Sequence, residues 1–396
     1  MKPLDDIAIT PNRARHEIRA VFRFHPPGGR CTPPAMNRLI AAVSLLLAAE
    51  STASPAEAQR IRKSWEAAME TWSLETRTAA TPEARAAALA KRPDPTPFAR
   101  NIWEQIGSSL DQEWTLEPAA WFLRATPGLA IAKPDGSSSP AFNQEIRAIV
   151  SALETHHLNS PKLIPVCTAL INTGDPRALT LLEKIQANHP DPKTRGVAAM
   201  AAAMILKNLG DDGEIMRKRL TCLRTAIIES SDVDLGGVTV AKLAEDELYI
   251  IRYLTKGRIA PDLSGTDSAS RPLKLSEHNG KIVLLLFWSS TMQEADRVIE
   301  ITAGMLKKFE GRPFTVIGVN HDSLEKLRSM EAGGIVTWRN FSDPANQLAK
   351  EYRVGSWPLV YVFDGDRKIH YSGAPGSFAE LTVDALLSEI PPATGE

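Results

Sequence analysis

The spacing of hydrophobic positions changes once along the chain, and that change divides it. From about Gln59 to Gly257 apolar residues recur at helical spacing. Residues 61–90 are alanine-rich, and Trp65, Met69 and Trp72 follow one another at steps that put them on one face of a helix. Two stretches interrupt the pattern: Pro93-Asp94-Pro95-Thr96-Pro97, and residues 133–140 with Gly136 and a run of serines. Both read as linkers or surface loops. Short amphipathic helices then follow, opened by Pro, Asp or Thr and closed by Gly or Asn. Asn172-Thr173-Gly174-Asp175 returns 36 residues later as Asn208-Leu209-Gly210-Asp211. Such a period suits a short array of stacked helix pairs, and an irregular bundle fits as well. On either reading this all-helical region is a packing or interaction module.

Past Gly257 the pattern turns to strands. Residues 281–288 form a continuous apolar run rich in Val and Leu, as a strand covered on both faces requires. A helix is expected from Met292 to Phe309, with Ile299, Ala303, Leu306 and Phe309 inward. A second buried strand is expected over residues 314–319, then a helix capped by Asp322 and reaching Met330. A short helix at residues 346–352 comes next. Strands at 359–363 and 368–371 flank the turn Asp364-Gly365-Asp366-Arg367, and residues 377–390 close the chain as a helix. This order predicts an α/β unit, a mixed sheet with helices on both faces, behind the all-helical region.

A chain of 396 residues is long enough for two domains with their own cores. Its formal net charge of -1 removes the electrostatic case for nucleic-acid binding or a basic membrane-surface role. The cysteines Cys31, Cys167 and Cys222 are too few and too scattered for a disulfide scaffold or a cysteine zinc site. Cys167 and Cys222 fall in apolar helical contexts, where a free cysteine acts as a small hydrophobe.

Met36-Asn37-Arg38 opens a run, residues 39–49, that is apolar apart from Ser44 and is followed by small residues ending in Ala56-Glu57-Ala58. A short basic region, a hydrophobic stretch and an A-x-A site make a signal peptide, and the stretch is too short to span a bilayer. The expected division is therefore residues 1–35 as an N-terminal extension outside the native protein, with translation starting at Met36. Residues 36–58 are the signal peptide, 59–256 the helical region and 257–396 the sheet-containing domain. The expected location is the periplasm or the exterior, with no membrane span in the mature chain.

Four segments carry a resemblance to a known family. They are Ala260-Pro261-Asp262-Leu263; residues 280–290, Gly-Lys-Ile-Val-Leu-Leu-Leu-Phe-Trp-Ser-Ser; Tyr352-Arg353-Val354-Gly355-Ser356-Trp357-Pro358; and residues 360–369. In this order and spacing residues 257–390 resemble the thioredoxin superfamily, within it the extracytoplasmic TlpA-like and AhpC/TSA-like redoxins. The resemblance implies a thioredoxin-like mixed sheet, a cis-proline at Pro358, and an active site just after Trp288.

In active members the lead-in continues Trp-Cys-x-x-Cys, whereas here it continues Thr291-Met292-Gln293-Glu294-Ala295. Disulfide exchange needs a thiolate activated at a helix N-terminus. Met292 has no proton to lose and Ala295 no sulfur, and a peroxiredoxin-like mechanism fails for the same reason. The resemblance also places Leu286 where many thioredoxins carry a buried, proton-relaying Asp. An unpaired buried carboxylate is costly, and Leu is what relaxed catalytic constraint predicts.

The resemblance therefore implies a degenerate site with no cofactor and no metal, in a protein that acts as a binding or scaffold module for a protein partner in the cell envelope. Trp288, Trp357 and Pro358 are its candidate peptide-contacting residues, although both tryptophans also suit plain packing. Met292 with His278, His321 or His370 shows no spacing that recruits a soft metal. The alternative function is a thiol-disulfide oxidoreductase working through Cys167 and Cys222.

Overall fold

The computed structural model describes residues 53–389 apart from 133–135, 211 and 293. Cys31 and the hydrophobic stretch at 39–49 lie outside the described residues.

Among the described residues ten α-helices, α1 to α10, precede the main sheet: α1 Pro55–Thr78, α2 Pro82–Ala90, α3 Pro95–Ile106, α4 Leu116–Ala125, α5 Asn143–His156, α6 Ile164–Leu170, α7 Arg177–Asn188, α8 Pro192–Leu209, α9 Gly213–Ser230 and α10 Val240–Tyr253. Their starts follow local chemistry. Ser54, Thr81, Asp94, Asp191, Asp212 and Thr239 each accept a backbone N–H of the first turn, and Pro occupies an early position in α1, α2, α3 and α8. The proline-rich stretch is thus a break and a helix start together, because Asp94 caps α3 within it.

The second expected loop, residues 133–140, ends in the strand β2 Ser138–Pro140, which pairs antiparallel with β1 Ala130–Ala132 just before the loop. A strand pair this short carries no apolar alternation, so periodicity misses it. The first Asn-x-Gly-Asp segment lies in the α6–α7 turn, whereas the second begins on the last two residues of α8; Gly174 and Gly210 both have positive φ.

Helix α8 is covered nearly all round, with residues 196–203 all buried. Small side chains there let neighbours approach closely. At Gly196 a Cβ would lie 2.4 Å from Ser230 Oγ of α9. The predicted face of α1 is used: Trp65 meets Phe98 and Trp121 edge-on, and Trp72 Nε1 donates to the Ala88 carbonyl of α2.

Beyond α10 come β3 Ser264–Thr266, β4 Pro272–Lys274, β5 Ile282–Trp288, α11 Ala295–Lys308, β6 Phe314–Asn320, α12 Leu324–Ala332, β7 Arg339–Ser342, α13 Gln347–Glu351, β8 Leu359–Phe363, β9 Ile369–Gly373 and α14 Ser377–Glu389. The main sheet has the order β7-β6-β5-β8-β9, with β5 parallel to β6 and antiparallel to β8. All seven residues of β5 are buried. One face meets α11, α12 and α14 through Val298, Met305, Leu327, Val383 and Leu387. The other meets α13 and the end of α10 through Leu348, Tyr352 and Leu254. A five-stranded mixed sheet in this order, covered on both faces, is a thioredoxin-like fold.

Strand β7 was not anticipated, because Arg-Asn-Phe-Ser lacks the composition of a strand. Its reason is tertiary. Asn340 is fully buried, accepts Trp288 Nε1 at 3.0 Å, and donates to the Trp338 carbonyl at 2.9 Å. That bond passes over Gly318, where a Cβ would lie 1.8 Å from Asn340 Oδ1 and 2.9 Å from Trp288 Nε1.

Helix α11 begins three residues after its predicted start; Phe309 is buried as expected, while Val298, Thr302 and Met305 are buried one position before the expected Ile299, Ala303 and Leu306. Thr302 is tolerated inside because its hydroxyl donates to the Val298 carbonyl at 2.7 Å.

Gly318→Ala is therefore expected to break the Trp288–Asn340 bond and lose about 3 kcal/mol, the sum of an overpacked core and an orphaned buried donor. Urea unfolding of the full chain measures it. An unchanged midpoint would mean that the bond does not hold β7.

Candidate functional site

The site begins where β5 leaves the sheet. Trp288 pairs with Asn320 on the β6 side, and Phe287 with Leu359 on the β8 side, so the chain emerges at Ser289 between two neighbours. On one side the His321 N–H donates to the Trp288 carbonyl at 3.1 Å. On the other stands the Trp357–Pro358 peptide, which is cis.

Three hydroxyl residues follow, and they decide the local structure. Ser289 Oγ donates to Asp322 Oδ1 at 2.8 Å, and Ser290 reaches the same carboxylate twice, through N–H to Oδ2 at 2.8 Å and Oγ to Oδ1 at 3.0 Å. Asn320 Nδ2 donates to Oδ2 at 2.9 Å, while its own Oδ1 accepts the Asp322 N–H at 3.0 Å. Ser289 and Thr291 hydroxyls lie 2.9 Å apart. Asp322 is 6 % exposed, and every donor around it opposes the cost of burying a charge.

Asp322 was expected to cap α12. Ser323 performs that task instead, accepting the Lys326 N–H. Adjacent Asp and Ser are both good caps, and propensity alone does not choose between them. The tertiary donors at Ser289 and Ser290 claim the aspartate. This polar knot went unseen in the sequence, although Ser-Ser-Thr directly after a buried strand is a signal for local side-chain competition with helix.

The knot also explains the late start of α11. Met292 lies in the turn before the helix, its N–H donating to the Ser289 carbonyl at 3.3 Å and its carbonyl accepting the Ala295 N–H at 3.2 Å. Met292 is half-buried against the core, and Ala295, the first helical residue, is buried. Met292 and Ala295 thus share one turn, with Met292 outside the helix.

Leu286 is fully buried in the core under α11 and α14. Trp288 is fully buried on the same face, its ring 5.8 Å from that of Trp338. It has no surface to offer a peptide, which removes it from the candidate contact residues, and its polar Nε1 is spent on Asn340.

Trp357 belongs to the opposite face of the sheet. It is half-buried, edge-on to Phe287 at 6.2 Å and tilted against the His321 ring at 5.8 Å. His321 is exposed, and its Nδ1 donates to the Asp343 carbonyl at 3.1 Å. The surface near the cis peptide therefore combines Trp357, Pro358, exposed Gly355 and Ser356, and His321.

His370 is taken up by Asp364 at 2.9 Å, and burial lowers the pKa of His278. No group of three or more His, Cys, Asp or Glu able to hold a metal occurs among the described residues.

Cys167 and Cys222 lie on α6 and α9, far along the chain from this site, and both are free thiols. Complete burial pushes the Cys167 thiol up to about 12. Burial, reinforced by Glu183, pushes Cys222 up to about 11.

The AhpC/TSA family model matches residues 256–372, under a third of the chain. Among solved structures, the thioredoxin domain of a thiol-disulfide oxidoreductase from Bacteroides vulgatus is 22% identical, over 34% of this chain and 99% of that one, with a TM-score of 0.32. A thiol peroxidase from Chromobacterium violaceum is 19% identical over 35% and 87%, TM-score 0.30. A secreted Mycobacterium tuberculosis disulfide oxidoreductase homologous to E. coli DsbE is 18% identical over 31% and 96%, TM-score 0.28. No curated protein matches the chain.

Asp322→Ala should cost about 3 kcal/mol, since it strands the donors of a buried knot. Asp322→Asn should cost less than half of that. Its carbonyl can take the two amide donors while its NH2 serves two hydroxyls free to turn round. Equal losses for the two variants in chemical denaturation would show that the carboxylate's charge, rather than its hydrogen bonds, holds the loop.

Proposed function

We propose that this chain is an exported protein whose thioredoxin-like domain performs no redox chemistry and serves as a binding or scaffold module. One observation carries the reading: the turn that follows β5 holds Met292 and Ala295, and no cysteine occurs in the sequence after Cys222, so no thiolate can form there.

The competing reading, an oxidoreductase working through Cys167 and Cys222, is weakened by their surroundings. A thiol at about 11 is ionised to about one part in a thousand at pH 8, and one at about 12 ten times less, so neither offers a ready nucleophile.

Trp357 and Pro358, with the exposed residues 355–356, are the proposed contact surface for a protein partner in the cell envelope. An aromatic beside solvent-facing backbone suits an extended segment. A photo-crosslinker at Ser356 tests this in the native envelope; no adduct above background would leave the domain a structural part without a ligand.

Export rests on the Met36 start and the apolar run after it. Among the described residues no helix is long and apolar enough to cross a membrane. Cleavage after Ala58 would remove Ser54, which caps α1, and Ala58, which is buried in the helical core. N-terminal sequencing of the native protein decides the point, and a chain retaining residues 1–35 would end the export reading. The division near residue 257 is likewise a proposal, with α10 adjoining both parts.

The wild type should reduce insulin and consume peroxide no faster than background. Its two described thiols should react with Ellman's reagent at pH 8 only after denaturation. The double variant Met292→Cys with Ala295→Cys should form a reversible disulfide within the shared turn and gain weak reductase activity. That activity stays low because residue 292 precedes the helix, where the dipole falls off, and because Leu286 relays no proton. Insulin reduction by the wild type, lost on mutating Cys167 or Cys222, would install the competing reading.

A further inference from the structure

Arg353 has a φ of +50°, the left-handed region in which a side chain is a burden and glycine is at home. It follows α13 and opens the loop 354–358, which carries Trp357 and Pro358. A residue there that served only to turn the chain would be better as glycine. The arginine's use lies in its side chain, which points away from its own domain and into the helical region.

The guanidinium carbon sits 4.4 Å from the ring centroid of Tyr249, and Nε lies 2.6 Å from Asp246 Oδ1, both on α10. Nη1 donates back to the Lys350 carbonyl at 2.7 Å. Arginine is suited to this, since a planar cation can stack on an aromatic and meet a carboxylate together. Both charged side chains are about three-quarters covered, at 25 % and 29 % exposure.

Helix α10 is itself immobilised from its other side. Glu247 is buried and pairs with Arg219 of α9, which is 1 % exposed, and with Lys207 of α8 at 2.7 Å. Tyr249, Ile250 and Tyr253 then pack on the same core as Val354 and Trp357.

We propose that Arg353 is a positioning residue through which α10 of the helical region sets the conformation of the loop 354–358. The helical region is then no appended module: it holds the surface that carries Trp357 and Pro358. The purpose assigned to the loop rests on the binding function proposed above, whereas the clamp itself does not.

The test uses the full chain and a sign. Arg353→Gly removes the backbone penalty together with the side chain. Hydrogen exchange in peptides covering 354–358 should accelerate about tenfold, as loss of one partly covered cation–π contact and its ion pair implies, and Tm should fall. Tyr249→Ala should accelerate the same peptides, and the double variant should add little to either, the mark of one shared interaction. Arg353→Lys, which keeps the charge and loses the planar stack, should fall between wild type and Arg353→Gly, and it serves as the measurement if the glycine variant does not fold. A raised Tm with unchanged or slower exchange in Arg353→Gly, or unchanged exchange in Arg353→Lys and Tyr249→Ala, overturns the clamp. Failure of the Ser356 crosslink with accelerated exchange here would remove the binding function and leave the clamp standing.

Discussion

The burial of β5 on both faces is the constraint from which the rest follows. A strand with no exposed residue must be paired on both edges and covered above and below, so β6, β8 and two helical layers are obligatory. It also fixes where the chain can become polar again. The first polar side chain after the strand is Ser289, and at that point the register already sets His321 on one side and the cis peptide on the other. The site is the open end of a buried strand, and its neighbours are dictated by pairing rather than by their own chemistry.

What fills that end is a set of hydroxyls gathered on one buried carboxylate. A thiolate site needs a helix N-terminus aimed at sulfur and a buried group to move protons. Here the segment after Trp288 is tied to Asp322 by hydroxyls, the helix starts only at Ala295, and position 286 is an ordinary core leucine. Each of these departures is consistent with the others. Where no sulfur has to be presented, nothing opposes the Ser-Ser-Thr segment folding onto the nearest carboxylate.

Much of this was legible in the sequence. The strands β5, β6 and β8 were plain because each is a run of apolar residues long enough to need cover, and the absence of cysteine after Cys222 is a fact of the sequence itself. The parts that were missed share one cause: their reasons lie in distant residues. Strand β7 exists because Asn340 receives the Trp288 indole across Gly318. Asp322 leaves its helix because Ser289 and Ser290 outbid the local cap, and the inward face of α11 shifts because Thr302 satisfies itself on Val298. Trp288 and Trp357 looked equivalent as aromatics flanking the site, but a strand residue and a loop residue fall on opposite faces of the sheet, and only the second reaches the surface.

The relation between the two regions follows from the same logic of cover. The face of the sheet behind α13 is too broad for a five-residue helix, and Leu254 with Tyr249, Ile250 and Tyr253 completes it. The last helix of the helical region therefore does the work of a core element for the sheet. Asp246 and Tyr249 of α10 meet Arg353 directly, so a shift of α10 reaches the loop through that contact. That contact opens the loop 354–358, which carries Trp357 and Pro358. A helical region joined in this way acts on the loop by packing, without requiring contact with whatever the loop meets.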